Sequence, residues 1–118
     1  MSAWTAVCAL DRLPVERGVC ALVEGEQVAL FRTADGDLHA LGNLDPCSGA
    51  MVLSRGIVGS RGDRATVASP MFKQVFDLAT GQCLDDAAVA VPVHRVRVRE
   101  GQVEVALGAL EQRERLPA

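Results

Sequence analysis

Two stretches decide the fold: residues 43–53 read NLDPCSGAMVL, and residues 67–81 read VASPMFKQVFDLATG. In each of them an apolar segment of strand length ends, and a proline, Pro46 or Pro70, then fixes one backbone angle. A short run of small and polar residues follows the proline. Each stretch therefore predicts a tight loop at the end of a β-strand, and a pair of such loops is unusual in a plain β domain.

The remainder of the chain predicts short strands that are separated by turns. Residues 19–23 form a continuous apolar run of the length expected for a strand buried on both faces. Asp35-Gly36 is a hairpin signal between strands at 27–33 and 38–41. Further turns are predicted at 61–63, 79–82 and 100–101. Regularly spaced short strands of this kind indicate an all-β antiparallel sandwich or barrel.

The last predicted hairpin contains a change of pattern. In its second strand, residues 102–107, the apolar side chains keep one parity, as expected for a strand with one buried face. In its first strand, residues 91–99, the valines change from odd to even positions. This change predicts a β-bulge near His94 and Arg95, with His94 as a partly exposed strand residue.

Helix signals are confined to two places. Residues 11–17 contain Pro14, which limits them to a helix start or a loop. Residues 109–115 are rich in helix-forming residues but polar. We expect residues 1–108 to form a single domain and residues 109–118 to be a frayed C-terminal tail.

Composition excludes several classes of protein. The chain has 118 residues, a formal net charge of −3 and only 3% aromatic residues, which argues against a nucleic-acid-binding surface. The one basic cluster, Arg95, Arg97 and Arg99, alternates along a strand and is expected to be its solvated face. No apolar run approaches the roughly 20 residues that span a membrane, and the N-terminal sequence lacks the pattern of a signal peptide. The sequence predicts a cytoplasmic protein.

Cysteine spacing favours free thiols. Cys8, Cys20, Cys47 and Cys83 are scattered, without a CxxC pair, and no pair has the spacing of a zinc site. A thiol-redox role for Cys47 or Cys83 is a weaker alternative, because neither has a neighbouring cysteine or an obvious base. We expect structural thiols.

The two loops resemble the cluster-binding loops of Rieske ferredoxins. Those loops read Cys-x-His followed by Gly-Ala, and Cys-x-x-His followed by an aromatic residue, Phe-Asp and Thr-Gly. Here Gly49-Ala50 matches the first loop, and Phe76-Asp77 with Thr80-Gly81 matches the second. The resemblance implies a Rieske-like antiparallel β-sandwich or barrel with these loops in the positions of the cluster-binding loops.

All four ligand positions of that family are replaced in this chain. Asp45 and Ser69 stand at the two cysteine positions, and Cys47 and Phe72 stand at the two histidine positions. One thiol and a phenyl ring cannot hold an iron–sulfur cluster. The resemblance therefore implies a domain with no metal, no bound cofactor and no catalytic residues of its own.

The replacement residues resemble a narrower family. Four pieces in order are similar to the small subunit of assimilatory NAD(P)H nitrite reductase: Asp-Pro-x-Ser-Gly-Ala at 45–50, residues 52–59, Val-Ala-Ser-Pro at 67–70 with Lys-Gln at 73–74 and Phe-Asp-Leu at 76–78, and residues 81–84. The similarity runs from about Trp4 to Leu107. Cys47 departs from the pattern, because that family tends to carry an aromatic residue there.

This second resemblance implies a function through a partner. In that family the large subunit carries FAD, sirohaem and an iron–sulfur cluster, takes electrons from NAD(P)H and reduces nitrite to ammonium. The small subunit would dock on it and support the active assembly. The alternative is a cluster-free interaction domain that serves a different oxidoreductase. A ferredoxin for an aromatic-ring dioxygenase would need the four ligands that are missing here.

We expect the loop tips to form the contact with the large subunit. The predicted contact residues are Asp45, Ser48, Arg55, Met71, Lys73 and Gln74. A competing interpretation is that Phe72 and Met71 fill the empty cluster space as core residues. We favour this interpretation for Phe72. Arg55 and Lys73 could equally be solvated charges.

Overall fold

The computed structural model describes residues 4–108, and the predicted C-terminal tail at 109–118 lies outside the described residues. Its strands are β1 (Thr5–Ala9), β2 (Gly18–Val23), β3 (Glu26–Arg32), β4 (Leu38–Gly42), β5 (Ile57–Arg61), β6 (Arg64–Ala68), β7 (Val75–Asp77), β8 (Val93–Arg99) and β9 (Gln102–Ala106). Two short 3-10 helices span Leu10–Arg12 and Leu53–Arg55. The all-β prediction is confirmed. No helix within the described range is long and apolar enough to cross a membrane.

The strands form two antiparallel sheets. Six strands lie in the order β1-β9-β8-β4-β3-β2, and three lie in the order β5-β6-β7. The edge strands β1 and β2 approach each other to within 8 Å between Cα atoms, so the larger sheet curls into a near-barrel. The smaller sheet packs outside this near-barrel.

Strand β3 is buried on both faces because its alternate residues enter two different cores. Ala29 and Phe31 pack with Phe76 of the smaller sheet. Val28 and Leu30 pack inside the near-barrel with residues of β9. Each large apolar side chain buried in this way contributes roughly 1.5–3 kcal/mol. The core between the sheets fixes the smaller sheet, and with it the chain segments that enter both loops.

Strand β2 differs from its sequence-based prediction. The prediction that residues 19–23 are buried on both faces is wrong, because β2 ends the larger sheet. Cys20 is exposed, and the side chain of Leu22 is 69% exposed. A continuous apolar run is compatible with either position, and the strand order decides between them.

The predicted bulge near His94 and Arg95 is also wrong. Residues Arg95–Arg99 pair with β9 in an uninterrupted register. The parity change arises because Val93 faces the core between the sheets, whereas Val96 faces the interior of the near-barrel. A register shift occurs instead where β1 pairs with β9, between Ala6 and Cys8.

Polar side chains of β8 are more enclosed than the sequence indicated. His94 is only 5% exposed, so the prediction of a partly exposed residue is wrong, and its Nδ1 accepts a hydrogen bond from the Gly108 N–H at 2.6 Å. Arg97 lies at an odd-numbered position of β8, on the other face of the strand from His94. It donates a hydrogen bond to Glu104 at 2.6 Å, and its guanidinium carbon lies 4.0 Å from the centroid of the Trp4 ring. The predicted solvated face is therefore half covered by paired side chains.

Candidate partner interface

The two loops singled out in the sequence are joined to each other. Loop 1, residues 45–50, follows β4, and loop 2, residues 69–74, connects β6 to β7. The Ser69 hydroxyl donates to Asp45 Oδ2 at 2.5 Å. These residues occupy the two positions at which Rieske ferredoxins carry cysteines. A direct hydrogen bond therefore connects the loops where a cluster would otherwise lie between them.

Both loops close with the same pair of backbone hydrogen bonds. In loop 1 the Asp45 N–H donates to the Ala50 carbonyl, and the Asp45 carbonyl accepts from the Gly49 N–H, both at 2.8 Å. Loop 2 repeats the two bonds at 2.9 and 3.0 Å, with Ser69 in the place of Asp45 and Lys73 in the place of Gly49. Gly49 and Lys73 also share a left-handed backbone, with φ of 79° and 64°. The loops are two copies of one backbone form.

A third copy of this form shows how the loop is stabilised. It spans residues 77–82, where Asp77 N–H donates to the Gln82 carbonyl at 2.9 Å and Gly81 N–H donates to the Asp77 carbonyl at 2.7 Å. The Asp77 carboxylate accepts from the Ala79 N–H at 2.8 Å. In loops 1 and 2, the side-chain oxygens of the first residues accept the corresponding N–H two positions on. A side-chain oxygen at the first position is thus the shared closing element.

The Asp45 carboxylate is the centre of the joined loops. Its Oδ1 accepts from the Cys47 N–H at 2.9 Å, and its Oδ2 accepts from the hydroxyls of Ser48 and Ser69. Burial raises the pKa of Asp45, but the hydrogen bonds from Ser69, the Cys47 N–H and Ser48 outweigh it and leave the pKa below its ordinary value. The side chain is 0% exposed. Asp45 therefore positions the loops from beneath, and its carboxylate is committed to bonds within the loops rather than presented at the surface.

Asn43 fixes the base of loop 1, and sequence analysis missed it. Its Nδ2 donates to Gln27 Oε1 at 3.0 Å and to the Met51 carbonyl at 3.1 Å, while its Oδ1 accepts from the Ser54 N–H at 2.7 Å. The side chain is 2% exposed. The only signal in the sequence is a turn-forming residue directly before Leu-Asp-Pro, which does not reveal these distant partners.

Phe72 lies on the surface rather than in the space between the loops. Its side chain is 61% exposed, and that of the neighbouring Met71 is 50% exposed. The prediction that Phe72 fills the empty cluster space is wrong. The hydrogen bond between Asp45 and Ser69 draws the loops together directly, so the ring is left at the tip of loop 2.

Exposed apolar side chains are concentrated around the two loops. Of eight large hydrophobic residues exposed in the described range, five lie between positions 44 and 72. They are Leu44, Met51, Ile57, Met71 and Phe72, which we term the apolar loop face. Leu44 and Met51 bridge each other across loop 1, and Ile57 pairs with Ala68, directly before loop 2. Grouped exposed apolar residues mark interaction surfaces more often than isolated ones do.

The polar residues of the predicted contact set differ in accessibility. Arg55 and Lys73 are exposed and make no ion pair within residues 4–108. Ser48 is half-buried, and its hydroxyl is committed to Asp45. Gln74 is half-buried, and its Oε1 is enclosed without a hydrogen-bond partner. Two accessible cations are thus close in the chain to the apolar loop face: Lys73 follows Phe72 in loop 2, and Arg55, in the 3-10 helix after loop 1, is two residues from Ile57.

The state of the thiols bears on the thiol-redox alternative. All four cysteines are free, and Cys83 is 2% exposed. Burial, and then the negative charge of Asp45, raise the pKa of the Cys47 thiol. A raised pKa lowers the population of the nucleophilic thiolate. This geometry argues against the thiol-redox alternative at Cys47.

A near-barrel with an added three-stranded sheet and two facing loops defines the class of Rieske-like domains. The family described as "Rieske-like [2Fe-2S] domain" matches residues 3–106 of the chain. Nearly the whole described structure therefore corresponds to this one domain type.

Individual relatives narrow the family further. The chain is 41% identical over 106 residues to the nitrite reductase (NADH) small subunit of Escherichia coli, covering 89% of this chain and 98% of the relative. A crystal structure from Mycobacterium tuberculosis, assigned as the small subunit of an NADH-dependent nitrite reductase, has 55% identity and a TM-score of 0.88, covering 93% and 99% of the two chains. The chain belongs to the family of nitrite reductase small subunits. It is also 42% identical over 102 residues to the nitrite reductase [NAD(P)H] large subunit of Klebsiella oxytoca, covering 86% of this chain and 11% of that protein.

The residues at the ligand positions do not fit a Rieske cluster. Such a cluster needs two thiolates on one iron and two imidazoles on the other. Here the positions hold a carboxylate, a thiol, a hydroxyl and a phenyl ring, and the carboxylate and hydroxyl bond each other. No group of three His, Cys, Asp or Glu side chains suited to a metal ion occurs in the described part of the chain.

Proposed function

We propose that this protein is the non-catalytic small subunit of a cytoplasmic NAD(P)H-dependent nitrite reductase, which reduces nitrite to ammonium in nitrate assimilation. In this proposal the chain docks on a large subunit that carries FAD, sirohaem and an iron–sulfur cluster. It supports the active assembly and holds no redox centre itself.

One observation carries the assignment of the partner. The domain has separate small-subunit relatives of almost its own length, and it also aligns with 11% of the Klebsiella oxytoca large subunit. Fusing two domains into one polypeptide raises their effective concentration for each other, which is useful when the two domains work as a complex. This pattern supports a stable association between this domain and the large subunit.

The surface around the loops supports a docking role. The apolar loop face offers Phe72 and Ile57, which are 61% and 75% exposed, as candidate anchors. Arg55 and Lys73 lie next to it without ion partners in the described range. Interfaces commonly combine a few apolar or aromatic anchors with a polar rim. The loops would then contact the large subunit through their tips, held in place by Asp45 and Ser69.

The alternative is a cluster-free interaction domain that serves a different oxidoreductase. Both functions would use the same surface, so they are distinguished by identifying the partner protein. A gene for a sirohaem flavoprotein beside the gene for this chain would favour nitrite reductase.

The first test is co-elution with the sirohaem flavoprotein of the same organism. The isolated chain is expected to be colourless and free of iron, and a size-exclusion run is expected to show a complex with that flavoprotein. Iron–sulfur absorbance in the isolated chain would overturn the cluster-free assignment. Failure of the unmodified chain to co-elute would overturn the assignment of the partner.

Charge reversal tests the loop face within that complex. The double variant Arg55→Glu/Lys73→Glu is expected to weaken the complex at least about tenfold, since reversed charges at a rim mainly slow association. A matched control reverses Arg12 and Arg99, which are also exposed. Arg99 lies six residues along β8 from Val93, roughly 20 Å from the end of the strand that adjoins the loops. Equal affinity of both double variants would refute docking through the loops.

A further inference from the structure

Four strand edges end the two sheets, and they differ in what lies beside them. The edges of β1 and β2 approach each other where the near-barrel almost closes. The outer edge of β7 is occupied, because the Val75 carbonyl accepts from the Leu84 N–H at 2.7 Å and Phe76 bridges Cys83. The remaining edge belongs to β5, residues Ile57–Arg61, which makes no backbone hydrogen bond except to β6 within residues 4–108.

The β5 edge lacks several of the features that protect exposed strands from pairing. It contains no proline and no lysine, and its register with β6 is regular from Ile57 to Arg61 without a bulge. Its one charged side chain, Arg61, is held by Asp85 at 3.2 Å. Such an edge can accept another strand through its free N–H and carbonyl groups.

An acidic cavity borders the same strand. A cavity of about 360 Å³ is lined by Gly59 and Ser60 of β5 and, on the other side, by Glu16 and the turn that contains Asp35. Asp63 also lines it. The hydroxyl of Thr33 and the Asp37 N–H donate to Asp35 and hold the pKa of its carboxyl below the ordinary value.

The cation in this cavity does not neutralise its acids. Arg64 lines the cavity too, but its guanidinium bonds the buried Asp77 carboxylate at 2.5 Å. The carboxylates of Glu16, Asp35 and Asp63 make no ion pair within residues 4–108, so the lining of this cavity carries more negative than positive charge. A chain segment lying along β5 would be favoured if it carried lysine or arginine.

We propose that β5 accepts an extended, basic segment of the large subunit as an added strand of the smaller sheet. This inference rests on the proposed function, and it adds a mode of recognition to docking by the loops. The added strand would continue onto the loop face, because Ile57 pairs with Ala68, which directly precedes Ser69 of loop 2. A second copy of this chain is a poorer occupant, since it would bring two acidic cavities together and the chain carries a net charge of −3.

Amide hydrogen exchange tests the proposal directly in the complex. Successive N–H groups of an antiparallel strand point to opposite edges, so about two or three amides of β5 face outward. In the isolated protein these amides are expected to exchange quickly. Binding of the large subunit is expected to slow them at least about tenfold, as a new ladder protects them. Docking by the loops alone would protect the amides of residues 71–74 and leave those of residues 57–61 unchanged.

A pair of proline variants gives a second measurement. In Val58→Pro and Gly59→Pro, one substitution removes an outward donor and the other removes a bond to β6, because neighbouring N–H groups alternate. The variant that keeps the melting temperature is expected to bind the large subunit at least about tenfold more weakly. If neither variant folds, the exchange measurement decides by itself.

Charge reversal in the cavity completes the test. Asp35→Lys/Asp63→Lys is expected to weaken binding, whereas Glu24→Lys, at the exposed β2–β3 turn, is the control. A complex that forms with unchanged exchange at 57–61 and full affinity in the folded proline variant would refute strand addition and leave the proposed function intact. Absence of any complex with the unmodified chain would refute the proposed function itself.

Discussion

Ser69 and Asp45 are 24 positions apart in the chain, yet the hydroxyl of one donates to the carboxylate of the other at 2.5 Å. Both side chains are enclosed, at 1% and 0% exposure. The sequence resemblance places them at the two cysteine positions of a Rieske site, and in this structure a direct hydrogen bond joins the two loops there. The loop tips are thereby held in fixed positions from beneath.

The contribution of this bond can be measured with a double-mutant cycle. Asp45→Ala leaves the Ser69 hydroxyl and the Cys47 N–H without their acceptor, and is expected to lower the free energy of unfolding by about 3 kcal/mol. Ser69→Ala is expected to cost about 1.5 kcal/mol, with a coupling energy of about 1 kcal/mol in the double variant. Urea unfolding provides the values. Ser60→Ala, at an exposed position of β5, is the control, and purely additive effects would contradict the coupling.

Stability should depend on pH through Asp45. Its pKa in the folded state is lowered, so its contribution is fully present above the unfolded value of about 3.9 and is lost as pH falls through the folded value. The free energy of unfolding is therefore expected to fall more steeply below about pH 4 in the unmodified protein than in Asp45→Asn. Asp35 and Asp85 also have lowered pKa values, but they titrate in both proteins. Parallel curves for the two proteins would show that Asp45 does not contribute.

Two glycines at the same loop position separate backbone strain from lack of space. Gly49 and Gly81 have φ of 79° and 78°. A Cβ on Gly49 would meet nothing within 4 Å, whereas on Gly81 it would lie 2.1 Å from the Val91 carbonyl oxygen. Gly49→Ala is expected to cost about 1 kcal/mol, from strain alone, and Gly81→Ala about 3 kcal/mol. Thermal unfolding compares them, and equal losses would mean that the contact with Val91 relaxes without cost.

The surface position of Phe72 can be tested against a buried phenylalanine. Phe72 is 61% exposed and Phe76 is 0% exposed. Phe72→Ala is expected to change the free energy of unfolding by less than about 0.5 kcal/mol, while Phe76→Ala should lower it by about 3–5 kcal/mol. The Phe72 variant should still bind the large subunit more weakly, because its ring is a proposed anchor. A large loss of stability in Phe72→Ala would restore the interpretation of Phe72 as a core residue.

Sequence patterns predicted the strands and loops well where the signal is local. Asp35-Gly36 does mark the turn between β3 and β4, and Pro46 and Pro70 do open the two loops. Patterns failed where the outcome depends on which strand lies next to which. The apolar run of β2 does not reveal an edge position, and the valine parity of β8 was misinterpreted because the strand contributes to two cores.

The candidate site divides in the same way. The sequence identified the two loops and the replacement of all four ligands, since these are matters of residue type and order. It did not identify Asn43 as the base of loop 1, nor the exposed edge of β5, because both depend on partners far away in the chain.

By itself, the sequence determined the class of domain and predicted that its four cluster ligands are replaced, because coordination depends on which donor atoms stand at four positions. Only the tertiary structure decided what took the place of the cluster. Asp45 and Ser69 can form their bond because the packing of the two sheets brings both loops to one place. With the loops joined by that bond, the Phe72 ring lies on the surface.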